Sequence, residues 1–181
     1  MLDRVKAWDE RVLVKISKKR TPKLNKIMIF VSTIGNGGLV WFAFSIPFLF
    51  MNRWRLTGFT MLFAMCIAWL CGEIGIKHLV GRVRPCNKCF EKKDLLIKNP
   101  PQYSFPSGHT TSSFAITTVT LIMCTQVFIP VFLFSCLMGF SRMYLLVHYP
   151  TDVFAGIILG AICAVISVMV CGYIPIFTFQ V

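Results

Sequence analysis

Charge is scarce in this 181-residue chain. Asp, Glu, Lys and Arg together make up 14% of it, where a soluble domain carries about a quarter. With 56% hydrophobic residues and a mean hydropathy of +0.70, that shortage excludes an ordinary water-soluble domain. Alternation of apolar and polar residues is also missing. The apolar stretches are continuous, so a membrane β-barrel is excluded and helices are left to satisfy the backbone in lipid. No low-complexity tract or internal repeat divides the chain, and residues 1–181 are expected to form one domain. The N-terminal segment lacks a long apolar core followed by a small-residue cleavage site, so no cleaved signal peptide is expected. Among eight cysteines there is one CxxC pair, Cys86 and Cys89, and no second pair to complete a zinc site. A disulfide, a reversible redox pair or no special role all fit it. Cys66, Cys71, Cys124, Cys136, Cys163 and Cys171 fall in or beside apolar runs, where cysteine behaves as a small hydrophobe.

What the chain has is long apolar runs. A span needs roughly 20 residues, and five candidates cover residues 28–51, 57–76, 110–124, 128–147 and 152–173. The first is interrupted by Gly35-Asn36-Gly37-Gly38, an expected kink, and the third is short. The fold class expected is all-α, a polytopic membrane helical bundle of about five transmembrane helices. Ahead of them, residues 1–26 place Leu2, Val5, Trp8, Val12 and Ile16 at helical spacing with Lys and Arg between. This predicts an amphipathic interfacial helix; an ordinary solvated helix is the alternative. A net charge of +12 and a pI near 9.6 would suit nucleic acid. Here the cations flank apolar runs, where anionic headgroups attract them. The membrane surface is therefore the expected partner, and nucleic acid is not.

Two polar junctions remain, a loop at 78–107 with Pro85, Pro100, Pro101 and Pro106, and the segment SRMYLLVHYPTD at 141–152. A loop of the first length is more often functional than idle. Counting crossings puts both junctions on one side. Lys77, Arg84, His109, Arg142, His148 and Asp152 can then gather at one membrane face, where ionisable groups default to function.

Lys77 and Arg84 are seven residues apart, nearly two helical turns, and share a face if the second helix continues past Ile76, with Pro85 ending it. Such a pair suits a multiply charged anion, Arg as a bidentate donor and Lys as a point charge. Snorkelling toward the interface is the competing explanation. Glu73, four residues before Lys77, has the favourable order for a structural ion pair. Pro106-Ser107-Gly108-His109 stands where a helix begins, and a helix start offers unpaired N–H groups to an anion. Gly108 lets the backbone approach, Ser107 adds a hydroxyl donor, and His109 is placed to move a proton; a plain helix cap is the alternative. Pro150 fits a first helical position, which puts Asp152 in the first turn within reach of His148. A carboxylate on one imidazole nitrogen fixes the tautomer and frees the other as a nucleophile. Asp152 could equally serve the helix dipole alone. Arg142 adds a third cation.

These segments resemble the three motifs of the type 2 phosphatidic acid phosphatase superfamily, which also includes vanadium haloperoxidases. KHLVGRVRP from Lys77 to Pro85 matches K-x(6)-R-P, PSGH from Pro106 to His109 matches the second motif, and SRMYLLVHYPTD matches S-R-x(5)-H-x(3)-D. The resemblance implies a metal-independent phosphatase with no cofactor. His148 would take the phosphoryl group as a phosphohistidine, oriented by Asp152. His109 would protonate the leaving oxygen and then help activate water. Lys77, Arg84, Arg142, Ser107 and the Gly108 amide would hold the phosphoryl oxygens. Phosphatidic acid, phosphatidylglycerol phosphate and a polyprenyl diphosphate are the candidate substrates, and the small size resembles bacterial members. A phosphotransferase is the nearest alternative. A non-catalytic lipid or anion transporter is another, although transport needs no nucleophile. On orientation the signals conflict. Nine Lys/Arg through Lys26 and seven from Lys77 to Lys98 share the site's face, against Arg53 and Arg55 opposite, which favours the cytoplasm. The bacterial relatives that work outside, and a CxxC pair suited to an oxidising compartment, favour a multi-pass cell-membrane protein with its site on the outer face.

Overall fold

The computed structural model describes residues 2–88, 90, 94–98, 100 and 103–172. Regular structure among them is entirely helical: α1 (Leu2–Ser17), α2 (Pro22–Ile34), α3 (Leu39–Phe50), α4 (Arg55–Trp69), α5 (Lys77–Val80), α6 (Pro85–Lys88), α7 (Gly108–Met123), α8 (Phe128–Tyr144) and α9 (Pro150–Gly172). A π-helical stretch, Leu70–Ile76, joins α4 to α5. The expected kink is present. Gly37 and Gly38 adopt φ of 61° and 74°, the left-handed region open to glycine, and α2 and the segment through α3 are bent by 52°.

Of the five expected spans, four are long and apolar enough by themselves to cross a membrane. Three stretches are long and apolar enough to cross a membrane, Asn52–Lys88, Thr125–Tyr144 and Pro150–Gly172, and the bent pair makes a fourth. The fifth is α7, whose 16 residues extend about 24 Å, shorter than the others, from the end of the bundle that holds His109 to the start of α8. Its composition differs too. Thr111, Ser113 and Thr117 donate to carbonyls one turn back, at 3.0, 2.7 and 2.9 Å, so α7 carries hydroxyls where a lipid-facing helix carries methyls. It is buried among α4, α8 and α9 instead. Close approach to α9 depends on Gly156 and Gly160, spaced as in small-xxx-small helix pairs. A Cβ at Gly156 would come within 2.9 Å of the Ser107 carbonyl and 3.0 Å of Thr110 Cβ. The apolar core fills the space between these helices with Trp41, Met61, Ala64, Ile116, Val119 and Ala164.

The N-terminal segment also differs from expectation. The interfacial helix stops at Ser17, and a new helix starts at Pro22, with the Thr21 hydroxyl accepting from Leu24 N at 3.3 Å. α1 rests against the protein through Asp9 and Leu13, the latter packed on Leu146 and Tyr149. Val5 and Trp8 stay exposed. An amphipathic helix is what the spacing predicts; its docking onto the α8–α9 turn is not. That docking places the N-terminal helix at the same end of the bundle as His148 and Asp152.

Candidate active site

Three cations anchor the site, each almost fully buried: Lys77, Arg84 and Arg142 are 3–4% exposed. They do not arrive as the spacing predicts. The helix carrying Lys77 ends at Gly81, which is left-handed (φ 59°), and residues 82–84 are not helical. Ser104 N donates to the Arg82 carbonyl at 2.8 Å, tying this segment to the stretch before α7. Arg84 therefore approaches from a second direction. Its Nη1 donates to the Val147 carbonyl at 2.9 Å and lies 3.2 Å from His148 Nε2. Arg142, at the end of α8, donates through Nη1 to Ser32 Oγ. Arg142 Nε is buried with no partner, a costly state for a charged donor. A phosphate oxygen is the kind of acceptor it lacks.

Glu73 supplies local counter-charge. Lys77 Nζ donates to both its oxygens at 2.6 Å, the i,i+4 pair the sequence predicts. The same carboxylate lies where a side chain on Gly108 would go. A methyl at Gly108, the first residue of α7, would push the Glu73 carboxylate from its place beside Lys77. Ser107, fully buried, accepts from Thr110 Oγ1 at 2.9 Å, which leaves its own hydroxyl hydrogen to donate.

The hydrogen bonds of His148 assign its tautomer. Nδ1 lies 2.7 Å from the Ser104 carbonyl, an acceptor, so Nδ1 carries the hydrogen. Nε2 faces Arg84, and a guanidinium only donates, so Nε2 holds the lone pair. Burial, with Arg84, Arg142 and Lys77 nearby, holds this imidazole well below its usual range, and the ring is neutral at ordinary pH. The expected direct bond from Asp152 is corrected here. Its Oδ2 lies 3.7 Å from Nδ1, because the Ser104 carbonyl has taken the hydrogen and the carboxylate accepts from Tyr149 N at 2.9 Å and Arg82 Nη1 at 2.6 Å. Asp152 thus lies beside the ring without hydrogen-bonding to it. The turn holding His148 contains Leu146 at φ 60°, an uncommon state for a bulky residue held by full burial.

His109, the second residue of α7, lies within electrostatic reach of His148, Arg142 and Lys77. Its Nε2 is 3.2 Å from the Ser32 carbonyl and 3.1 Å from Asn36 Oδ1. Both are acceptors, so Nε2–H donates to the kink between α2 and α3. All eight predicted site residues thus converge on one end of the bundle. The sequence reading does not find Arg82, Asp9, Ser32, Asn36 or the Ser104 carbonyl. Asp9 carries a usable signal, since an acid on the apolar arc of α1 is out of place unless paired. Cys86 is buried. Cys89 lies outside the described residues, and so does any pairing between the two.

The chain is similar to proteins of one family. The family model of the PAP2 superfamily matches residues 37–174. An undecaprenyl-diphosphatase of Sulfolobus acidocaldarius is 32% identical over 156 residues, covering 86% of this chain and 74% of that protein. A decaprenylphosphoryl-5-phosphoribose phosphatase of Mycobacterium tuberculosis is 38% identical over 112 residues, 61% of this chain and 56% of that one. The crystal structure of Aquifex aeolicus LpxE superposes with a TM-score of 0.74 at 31% identity, over 88% of this chain and 93% of that chain. The PAP2-type phosphatidylglycerolphosphate phosphatase of Bacillus subtilis shares the fold, with a TM-score of 0.76 at 24% identity over 94% of this chain and 88% of that one. With its matched region covering most of its length and its three motifs meeting at one buried site, the chain belongs to the PAP2 superfamily.

Proposed function

We propose that this membrane protein hydrolyses the phosphate or diphosphate group of a lipid through a phosphohistidine on His148. One observation carries the reading: a neutral imidazole with its lone pair on Nε2 faces a buried cluster of cations, one of which holds an unpartnered donor. A nucleophile of this kind among donors is suited to a phosphorus centre bearing negative oxygens.

In the first step the Nε2 lone pair forms a bond to phosphorus while the bond from phosphorus to the leaving oxygen breaks. His109, protonated on Nδ1 as the anionic substrate binds while its Nε2–H stays on Ser32 and Asn36, gives that oxygen its proton. Lys77, Arg84, Arg142, the Ser107 hydroxyl and the Gly108 amide hold the remaining oxygens, and Asp152 offsets the positive charge that develops on the ring. In the second step water attacks phosphorus, His109 takes its proton, the N–P bond breaks, and phosphate leaves. Buried cations supply the charge stabilisation, so the proposed mechanism uses no metal. Similarity to an undecaprenyl-diphosphatase along most of the chain favours a polyprenyl diphosphate among the substrates. Phosphatidic acid and phosphatidylglycerol phosphate follow on the phosphate chemistry alone. Phosphate release from these three lipids in detergent with EDTA present is the test. Release is expected from at least one, and His148→Ala is expected to abolish it in folded protein. Full turnover by that variant would remove the nucleophile.

For the orientation we propose a bacterial cell-membrane protein with its site on the outer face, the arrangement implied by resemblance to bacterial enzymes. The Lys/Arg count at the site's end opposes it, since positive charge is retained on the cytoplasmic side. Because Cys86 is buried, the probe should be a cysteine at exposed Lys98 in an otherwise cysteine-free chain. Labelling of Lys98→Cys in intact cells by a membrane-impermeant thiol reagent is expected, and labelling only after lysis assigns the site to the cytoplasm.

A further inference from the structure

The N-terminal helix reaches the catalytic machinery through Arg82, which stands at an unspecified position inside the first motif, and through Thr151. Arg82 Nη1 donates to Asp152 Oδ1 at 2.6 Å and to Thr151 Oγ1 at 2.7 Å, and its Nη2 donates to Asp9 Oδ2 at 2.7 Å. Asp9 is fully buried although it belongs to α1, an otherwise largely exposed helix. Its other contacts close the network: Thr151 N donates to Oδ1 at 3.0 Å and Thr151 Oγ1 to Oδ2 at 2.6 Å. The guanidinium also stacks 4.0 Å from the Tyr149 ring centroid, and Leu13, one turn after Asp9, packs on the same tyrosine.

Two buried carboxylates here share one guanidinium. A buried carboxylate is stable only when paired and fully hydrogen-bonded, so each depends on Arg82 being held in its bridging position. A planar fork can serve two carboxylates at once, and an ammonium cannot reproduce that geometry. Asp152 is the carboxylate that has to sit 3.7 Å from His148, where it stabilises the ring as it acquires positive charge.

We infer that Asp9 of the N-terminal helix, acting through Arg82, positions the Asp152 carboxylate for attack by His148, so that catalytic competence requires α1 to be seated on the α8–α9 turn. The inference rests on the phosphatase reading above. Asp9 and Arg82 are positioning residues: they touch neither the nucleophile nor the phosphate. Their effect therefore falls on the chemical step and leaves the cationic grip on the phosphate intact. Displacement of a reacting geometry by about 1 Å can cost 10²-fold in rate, which sets the scale.

The test is steady-state turnover of the full chain in detergent on whichever lipid phosphate the wild type hydrolyses. Asp9→Asn is expected to lower kcat by about 10–100-fold with KM within about twofold, and to show slowed phosphohistidine formation in a single turnover. Glu10→Gln, on the same helix and in an exposed ion pair with Lys88 at 3.3 Å, is expected to match the wild type. If Asp9→Asn does not accumulate as folded protein, Arg82→Lys takes its place, with the same split expected. Wild-type kcat in folded Asp9→Asn or Arg82→Lys overturns the inference. So does a loss borne by KM, or one that only follows the fraction of folded protein. A wild type inert toward every lipid phosphate refutes the phosphatase reading, whereas an active wild type matched by Asp9→Asn refutes this inference alone.

Discussion

If His109 supplies the leaving group's proton, its loss should depend on how badly the leaving group needs one. His109→Gln keeps a side chain able to reach Ser32 and Asn36 and removes proton transfer. General acid help is typically worth about 10²–10⁴-fold, which corresponds to about 2.7–5.5 kcal/mol. The lipid alcohol of a phosphomonoester such as phosphatidic acid is a poor leaving group and needs the whole of it, whereas the lipid monophosphate expelled from a diphosphate needs less. Nitrophenolate leaves without a proton, so attack by His148 on p-nitrophenyl phosphate should proceed, and hydrolysis of the phosphohistidine becomes the slow step. The assay is rapid mixing: His109→Gln should release nitrophenolate in a burst approaching one equivalent and then turn over slowly, while its steady rate on phosphatidic acid falls by about 10²-fold or more. The kink supports the ring through two neutral acceptors, Ser32 O and Asn36 Oδ1. Removing one of them in Asn36→Ala forfeits about 0.5–1.5 kcal/mol, a loss of roughly 2–12-fold in lipid turnover. Equal loss on both substrates in His109→Gln, with no burst, would refute the proton-transfer role.

Three further outcomes follow from particular contacts. His148 is held below its ordinary value near 6.5, and the neutral ring is the reactive one, so the acid limb of kcat/KM attributable to it should lie below about pH 6.5; a limb rising well above neutrality would contradict the assignment. Gly108→Ala drives a methyl into the Glu73 carboxylate at the start of α7, and should raise KM for the phosphate substrate more than it lowers the melting temperature. Gly156→Val should destabilise the bundle by more than about 1–3 kcal/mol, the usual overpacking cost, because the Ser107 carbonyl lies 2.9 Å from the added Cβ; thermal melting in detergent reads it.

Much of the site is legible in the chain itself because its chemistry is packed into short spacings. Lys77 and Glu73 are one helical turn apart, and their ion pair forms. Pro106 through His109 leads into a helix beginning at Gly108, and Pro150 opens α9 with Asp152 in its first turn. Apolar run length likewise announces helices in lipid, since nothing else satisfies the backbone there. Span number is less legible. Hydropathy does not show that α7 buries its hydroxyls among neighbouring helices, where a shorter length is tolerated.

Local spacing thus determined which residues could act on a phosphate and that the chain folds as membrane helices. Tertiary structure decided how they are held. Asp9 meets Thr151 across 142 residues, His109 meets Ser32 across 77, and the Ser104 carbonyl, 44 residues from His148, takes the hydrogen expected for Asp152. Hydrogen bonds of 2.6–3.2 Å at such separations depend on how whole helices dock. No periodicity along the chain encodes that docking, because it is fixed by Leu13 on Tyr149, Gly156 on Ser107 and the two glycines of the kink.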